Sequence, residues 1–420
     1  MKTVKILTVI ALILLIAAGI SIAYLSNVNG DRQASADADQ DVITSDGDTE
    51  VNDSQETDNN VNAEAGTVTG EQSTGGDADQ ISTANEPAEK EEPELRFVAV
   101  GDIMPGRGVE YWIRKNGGYG IAFEKVSNIL GNGDVVFGNL ECPLTSSVKG
   151  LDKNGKIVLK AAPESVSVLT SAGFNLLSLA NNHIMDYYGK GLSDTMELLD
   201  QNGILYAGAG GNIDQARKLT IIEKNGLKIG LLAYTDMADI VFAGDPYLSF
   251  AAGPEKSGVA PRNYEIIKED IEKARDKVDL LAVSLHWGIE DSFKVTSEQV
   301  EFAHKLIDDG ADIILGHHPH RFQGIEMYKG KPILYSMGNI LFDQNESENM
   351  ESFIVDMKYK GTELTELTAT PVRILSKSYV EVQTGSDAAD IINRQIELCR
   401  KLGTEPETVN DTLVFRQNPE

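Results

Sequence analysis

The chain has 420 residues and a formal net charge of −28, because 65 acidic side chains outnumber 37 lysines and arginines. An acidic chain without a basic run argues against nucleic acid as a partner. Only two cysteines are present, Cys142 and Cys399, which excludes a disulfide framework.

Residues 1–25 have the pattern of a membrane anchor. Lys2 and Lys5 precede an uncharged run from Ile6 to Leu25, about the ~20 residues that a bilayer-spanning helix needs. The run is longer than the core of most signal peptides, which favours an uncleaved signal anchor over a cleaved signal peptide. The two lysines predict a single-pass protein of the cell membrane, with its N-terminus in the cytoplasm and its folded part outside.

Residues 26–94 differ sharply in composition from the rest. They contain no aromatic residue and hold 19 acidic against 2 basic side chains. Such a segment cannot bury enough apolar surface to offset its ordering entropy. We therefore predict a disordered acidic linker, the alternative being an acidic binding tail.

From Leu95 onward, short β-branched runs alternate with helical patterns, which predicts an α/β domain over residues 95–375. Residues 331–339 (KPILYSMGN) are among the predicted strands, and residues 351–374 are predicted to form an antiparallel hairpin pair. Residues 376–420 are predicted to be a C-terminal extension with one short helix around Ala388 to Leu402.

Polar side chains recur where the predicted strands end, the edge at which α/β sheets bind ligands. Carboxylate, amide and imidazole groups of this kind suit Mn, Fe or Zn. Taken singly they have ordinary explanations, such as a helix cap or a core histidine. Their repetition at equivalent strand ends favours a shared metal site over separate structural roles. The candidate ligands are Asp102, Asn139, Glu141, Asn182, His286, His318 and His320.

The stretch ILGHHPH places three of the six histidines within four positions. In a locally extended segment, with Pro319 suppressing helix, His318 and His320 would point the same way. The alternative is a polar loop whose histidines only form hydrogen bonds. His304, within a helical pattern, is predicted to be an ordinary helix residue.

Six motifs, in order, resemble the CapA family of bacterial capsule-synthesis proteins, associated with poly-γ-glutamate. The resemblance covers about Phe97 to Asp343, and its motifs are GDIMPGR, GNLECPLT, LANNHIMDYYGKGLSDT, SLHWGIE, GHHPHRFQGIE and YSMGNILFD. That family in turn resembles the calcineurin-like metallophosphoesterases. The resemblance implies a four-layer αββα sandwich, two β-sheets flanked by helices, around a two-metal centre.

Individual residues match the motifs of those phosphoesterases. Asp102 resembles the aspartate of the first motif, and Glu141 or Asn139 stands where the bridging acid is expected. Asn182 resembles the asparagine ligand and His183 the acid next to it. The remaining matches are His286, His318 and His320.

Two departures affect the number of ions. Met104 stands where the first motif has a histidine, and Asn139 where an aspartate would bridge two metals. One metal position therefore loses a nitrogen ligand, so one or two divalent ions are expected.

Three further residues have predicted roles beside the metal. His183 would protonate a leaving group or stabilise charge, and Asp186 would orient it. Arg107 would clamp an anionic substrate, the alternative being a surface salt bridge.

The resemblance implies an extracytoplasmic protein acting in synthesis, export or attachment of poly-γ-glutamate or a related anionic envelope polymer. Its partners would be that polymer, membrane synthase subunits and the lipid bilayer. Two alternatives stay open: a metal-dependent phosphoesterase unrelated to capsule, and a non-catalytic scaffold for a membrane synthase. Whether the hydrolase-like site is catalytic is left open as well.

Overall fold

The computed structural model describes residues 92–153, 157–238 and 249–416. Within those ranges, no helix is both long and apolar enough to cross a bilayer. The predicted anchor, and all but the last three residues of the predicted linker, lie outside the described residues.

The described residues form eighteen strands in two large sheets and one small one. The strands are β1 Glu94–Ile103, β2 Val135–Leu140, β3 Leu176–Ser178, β4 Leu205–Ala207, β5 Ala209–Gly210, β6 Thr220–Lys224, β7 Leu227–Thr235, β8 Gly258–Val259, β9 Leu280–His286, β10 Ile313–His317, β11 Ile325–Tyr328, β12 Lys331–Leu334, β13 Asn339–Leu341, β14 Glu351–Lys360, β15 Glu363–Leu375, β16 Tyr379–Val382, β17 Glu407–Val409 and β18 Thr412–Phe415.

Helices connect most of the parallel strands. The α-helices are α1 Arg107–Asn116, α2 Ser127–Leu130, α3 Val166–Ser171, α4 Tyr188–Gln201, α5 Ile213–Ala216, α6 Tyr264–Arg275, α7 Ser297–Asp308 and α8 Gly385–Arg400. Helix α7 begins with a capping box, in which Thr296 and Gln299 satisfy each other's backbone amides.

The first large sheet has ten strands. Its main order is β17-β18-β15-β14-β1-β2-β3-β4, with β13 beside β1 and β16 beside β15. Strands β1 to β4 are parallel, whereas β14 and β15 form the antiparallel hairpin that the sequence predicted. Residues beyond 375 belong to this sheet too, because β16 and β18 both pair with β15.

The second large sheet has six strands in the order β11-β12-β10-β9-β7-β6. Its centre is parallel and its two edges are antiparallel. The prediction of one strand over residues 331–339 is wrong, since β12 lies in this sheet and β13 in the first. Gly338, at φ 66°, turns the chain between them.

The two sheets pack face to face between helices. Side chains such as Phe97, Phe137 and Leu315 fill the space between the sheets. Alternate residues, such as Val98 on β1 and Val283 on β9, face outward against helices. The predicted four-layer α/β sandwich is therefore confirmed by the packing.

Two glycines allow the strand ends to approach closely. A Cβ on Gly101 would lie 1.8 Å from the carbonyl oxygen of Gly338, and one on Gly316 would lie 1.9 Å from that of Tyr335. Each glycine immediately precedes a polar residue, Asp102 or His317. The absence of a side chain at these positions lets both polar residues sit at the junction of the sheets.

Candidate metal centre

The register of both sheets brings the polar strand ends together. In the first sheet, Asp102 on β1 lies beside Asn139 on β2 and Asn339 on β13. In the second sheet, His286 on β9 lies beside His317 on β10. Oxygen donors therefore come mainly from one sheet and imidazoles from the other.

Asp102 is fully buried and has a partner for each carboxylate oxygen. Its Oδ1 accepts from Asn139 Nδ2 at 2.9 Å and lies 3.1 Å from His317 Nδ1, while Oδ2 accepts from the His318 backbone amide at 3.3 Å. Burial alone would raise the pKa of Asp102. Its hydrogen bond with His317 and the charges of His317 and His320 outweigh burial and hold that pKa below its usual value.

Glu141 follows β2 and is also fully buried, but neither carboxylate oxygen has a hydrogen-bond partner among the described residues. Its Oε1 lies 3.8 Å from His286 Nε2 and 4.0 Å from His320 Nε2. Burial, and then the neighbouring charge of Asp102, raise the pKa of Glu141 well above its ordinary range. A buried carboxylate without partners is costly, and a cation within reach would remove that cost.

His286 and Asn182 meet between the sheets. His286 Nε2 lies 2.9 Å from Asn182 Oδ1, and its Nδ1 lies 3.5 Å from Asn139 Nδ2. Burial, and then the neighbouring His318, lower the pKa of His286 well below its usual value. The ring is therefore neutral at pH 7, the form in which imidazole binds metal.

The HHPH segment is not extended beyond β10. Strand β10 ends at His317, and both His318 (φ 96°) and His320 (φ 58°) have left-handed backbone conformations. The expectation that alternation points His318 and His320 the same way is therefore wrong about the backbone. Their ring centres lie 6.3 Å apart, and the ring of His318 is also 4.8 Å from that of His286.

His320 is the histidine that joins the two buried acids. Its Nδ1 lies 2.9 Å from Asn339 Oδ1 and 3.7 Å from Asp102 Oδ2. Asp102, Glu141 and His320 each offer one ligand atom, and the three atoms all lie within 4.8 Å of one another. This spacing is small enough for one ion to contact all three.

Asn139, itself a candidate ligand, and Met104 have surroundings that differ from those of the other candidate metal ligands. Asn139 Nδ2 donates to Asp102, and its Oδ1 accepts from Asn181 Nδ2 at 3.1 Å, so both ends of the amide have protein partners. Met104 is buried in the core between the first sheet and its helices. The thioether of Met104, among apolar neighbours, thus occupies the position where the first phosphoesterase motif has a histidine.

His183 and Asp186 form a pair at the edge of the centre. His183 Nδ1 lies 2.7 Å from Asp186 Oδ2, and Lys153, which the sequence analysis did not single out, forms an ion pair with Asp186 Oδ1. Burial lowers the pKa of His183 despite the hydrogen bond with Asp186. Asp186 therefore holds the Nδ1 side of the His183 ring.

Arg107 forms an ion pair with Asp343, and its Nε donates to Asp343 Oδ2 at 3.1 Å. Its side chain is 34% exposed. The structure thus shows the salt bridge that was the alternative to an anion clamp. A direct contact between Arg107 and an anion would have to compete with Asp343.

The buried atoms that have no hydrogen-bond partner among the described residues have the chemistry of metal ligands. They include both oxygens of Glu141, Nε2 of His317 and Nδ1 of His318, all buried. Carboxylate oxygen and neutral imidazole nitrogen are the donors that Mn, Fe and Zn accept. HxH spacing selects His318 and His320 and passes over His317, although the ring of His317 contacts Asp102 directly.

His304 lies away from this group. It is on α7, its Nε2 is 2.8 Å from Glu326 Oε1, and its ring stacks on Tyr328. The prediction that it is a helix residue is confirmed, which makes it a suitable control position.

Comparisons with known proteins identify the family. Residues 96–344 match the model of the family described as "Bacterial capsule synthesis protein PGA_cap". The chain is 34% identical to "Capsule biosynthesis protein CapA" of Bacillus anthracis, over 71% of this chain and 72% of that one. It is 35% identical to "PGA biosynthesis protein CapA" of Bacillus subtilis (strain 168), over 71% and 76% of the two chains.

A more distant relative extends the match. "Probable polyglutamine synthesis accessory protein Rv0574c" of Mycobacterium tuberculosis (strain ATCC 25618 / H37Rv) is 28% identical, over 75% of this chain and 93% of its own. The family match covers more than half of the chain, and the two Bacillus relatives exceed 30% identity over most of their length. The chain belongs to the bacterial capsule synthesis protein family.

Proposed function

We propose that this protein acts in the biosynthesis, export or attachment of poly-γ-glutamate or a related anionic envelope polymer, through a metal-dependent, hydrolase-like centre. Family membership supports the link to capsule polymer, because both Bacillus relatives are named for capsule or PGA biosynthesis. One observation supports the metal: neither oxygen of the buried Glu141 has a hydrogen-bond partner among the described residues, and its Oε1 lies 3.8 Å from His286 Nε2 and 4.0 Å from His320 Nε2.

Asp102, Glu141, Asn182, His286, His318 and His320 would hold the ion. A divalent cation in this place would polarise an oxygen on phosphorus or on a carbonyl and lower the pKa of water. Asp102 aligns the imidazoles through His317 and the His318 amide. His183, oriented by Asp186, would move a proton at its Nε2.

We also propose that residues 1–25 anchor the chain as a single pass in the cell membrane, with the folded domain outside and synthase subunits as partners. The support is the uncharged run after Lys2 and Lys5. The test is carbonate extraction of membranes, followed by protease treatment of intact cells. A mature chain that is soluble and begins beyond Leu25 would contradict the anchor.

The catalytic proposal is tested by elemental analysis of the purified full-length protein, and by assays on phosphate esters and on γ-linked glutamyl amides. We expect at least one bound Mn, Fe or Zn. His286→Ala and His318→Ala should lose it, and the control His304→Ala should retain it. Equal loss in all three variants, or no uptake by wild type under any loading condition, would refute the site and favour the scaffold.

Polymer production separates the first function from a capsule-unrelated phosphoesterase. Cells lacking the gene are complemented with wild type, Glu141→Gln or His304→Ala, and cell-associated polymer is measured. We expect wild type and His304→Ala to restore polymer and Glu141→Gln to fail. Restoration by Glu141→Gln would mean that the centre is dispensable for polymer.

A further inference from the structure

Lys153 is a buried cation beside the proposed catalytic pair. Its side chain is only 3% exposed, which is rare for lysine unless it is paired. It forms an ion pair with Asp186 Oδ1 and lies 3.4 Å from His183 Nδ1. Its Nζ also donates to the backbone oxygen of Asn182 at 3.3 Å. One ammonium group therefore contacts three neighbouring residues of the site.

Asp186 contacts His183 and also two residues that lie on either side of Lys153 in the chain. Its Oδ2 lies 2.7 Å from His183 Nδ1 and accepts from the Leu159 amide at 2.6 Å. Its backbone oxygen accepts from the Leu151 amide at 2.8 Å. Leu151 and Leu159 are themselves buried. The segment that follows β2 is thus attached to Asp186 at three points.

The geometry gives the ammonium a specific task. Asp186 has two oxygens, and only one of them contacts His183. With Oδ1 held by Lys153, rotation of the carboxylate would break an ion pair that is almost wholly out of water, which is costly. The His183 ring is consequently fixed with Nδ1 toward Asp186 and Nε2 available.

We infer that Lys153 is a positioning residue of this site, which fixes Asp186 and through it the orientation of the His183 ring. The inference rests on the proposed function, because it treats His183 as part of a functional site. The contacts that support it do not depend on any metal. A purely structural lysine would neutralise Asp186 and contribute to stability without affecting how the His183 ring is held.

The direct test is nuclear magnetic resonance of ¹⁵N-histidine-labelled full-length protein, in which only six histidines contribute signals. In wild type we expect a slowly exchanging Nδ1 proton of His183, assigned by its loss in His183→Gln. In Lys153→Met this proton should exchange at least about tenfold faster. In the control Lys149→Met, which changes an exposed lysine in the same segment, it should not change.

Kinetics supply a second readout on whichever phosphate ester or γ-glutamyl amide the wild type cleaves. We expect Lys153→Met to lower kcat about 10- to 100-fold with KM within about twofold, since a small displacement of a catalytic group costs this much. Metal content should match wild type. Lys153→Arg, which keeps the charge, should recover part of the kcat.

The outcomes are separable. An unchanged His183 proton in folded Lys153→Met would overturn the positioning role, whatever the activity. Wild type that binds no metal and cleaves no substrate would instead refute the proposed function, while the proton exchange would still decide the role of Lys153. Should Lys153→Met fail to fold, Lys153→Leu gives the same comparison, because it too is apolar and cannot donate to Asp186.

Discussion

The ends of β1 and β2 lie side by side, yet their two buried acids are in opposite situations. Asp102 has hydrogen bonds at both oxygens, whereas Glu141 has none among the described residues. The pKa of Asp102 is lowered by its partners, and burial raises that of Glu141. Asp102 thus organises the protein around it, and Glu141 is the group that lacks a counter-charge.

This contrast shows which buried acid reports a ligand. A buried carboxylate whose oxygens accept hydrogen bonds from protein groups needs no ligand to explain it. An unsatisfied one costs stability unless something outside the chain compensates for it. If the metal proposal is right, substitution of Asp102 should cost folding stability even without the ion, whereas substitution of Glu141 should mainly cost ion affinity.

The largest expected effect is on the folding of metal-free protein. Asp102→Asn removes the charge that His317, Asn139 and the His318 amide contact, so we expect a loss of about 3 kcal/mol in the free energy of unfolding. Glu141→Gln should cause no such loss, because neither oxygen of Glu141 has a hydrogen-bond partner among the described residues. Urea denaturation of chelator-treated protein measures both. Equal losses would show that the two acids do not differ.

The second effect is on ion affinity. Glu141→Gln removes a charged ligand and should weaken metal binding by about 100-fold, or about 2.7 kcal/mol. Titration of apoprotein with Mn²⁺ and Zn²⁺ measures this, with His304→Ala as the matched control outside the centre. Wild-type affinity in Glu141→Gln would leave its unpartnered oxygens without an explanation.

The sequence predicted that polar residues at several strand ends would lie together, because ligand-binding groups collect at the carboxyl edges of α/β sheets and this rule applies to both sheets. It could not predict which acid would be satisfied. Two contacts of Asp102, those from His317 and from the His318 amide, come from the end of a strand in the other sheet. The left-handed backbone of His318 and His320 does not follow the alternation of an extended strand. Lys153 escaped notice because a lysine in a polar stretch looks exposed until Asp186 is placed beside it.

The hydrophobic pattern of the sequence also could not predict where the chain passes from one sheet to the other. Residues 331–339 look like one apolar strand, but the first four form β12 and the last, Asn339, begins β13 in the other sheet, after Gly338 at φ 66°. Residues after 375 had no motif to place them. Their pairing with β15 depends on a long-range register that composition does not encode.

A third effect is a pH dependence in metal-free protein. Because burial raises the folded pKa of Glu141, the folded state holds a proton that the unfolded state releases, so stability falls as pH rises above the ordinary glutamate range. The slope should reach at most about 1.4 kcal/mol per pH unit. Glu141→Gln should lack this part of the decline. Thermal unfolding of both proteins across pH, with and without chelator, measures it.

The histidines contribute with the opposite sign, which allows the two effects to be separated. Burial lowers the pKa of His318 to about 3, so its contribution to stability is present above the usual histidine range and is lost as pH falls below it. Well above about pH 6.5 the His318 ring is neutral in the folded state and in the unfolded state. A difference between wild type and Glu141→Gln that persists there belongs to Glu141. Parallel curves above that pH would contradict its raised pKa.

The smallest expected effect concerns Arg107, the first residue of α1. Its ion pair with Asp343 is partly exposed, so Arg107→Ala should cost less than about 1 kcal/mol and leave metal content unchanged. If Arg107 also binds an anionic substrate, Arg107→Ala should raise KM while kcat stays near wild type, because binding common to ground and transition states is lost. Asp343→Asn is the informative companion, since it frees the guanidinium from its competitor. A lower KM in Asp343→Asn together with a higher one in Arg107→Ala would identify an anion clamp, and unchanged KM in both would leave Arg107 as a surface salt bridge alone.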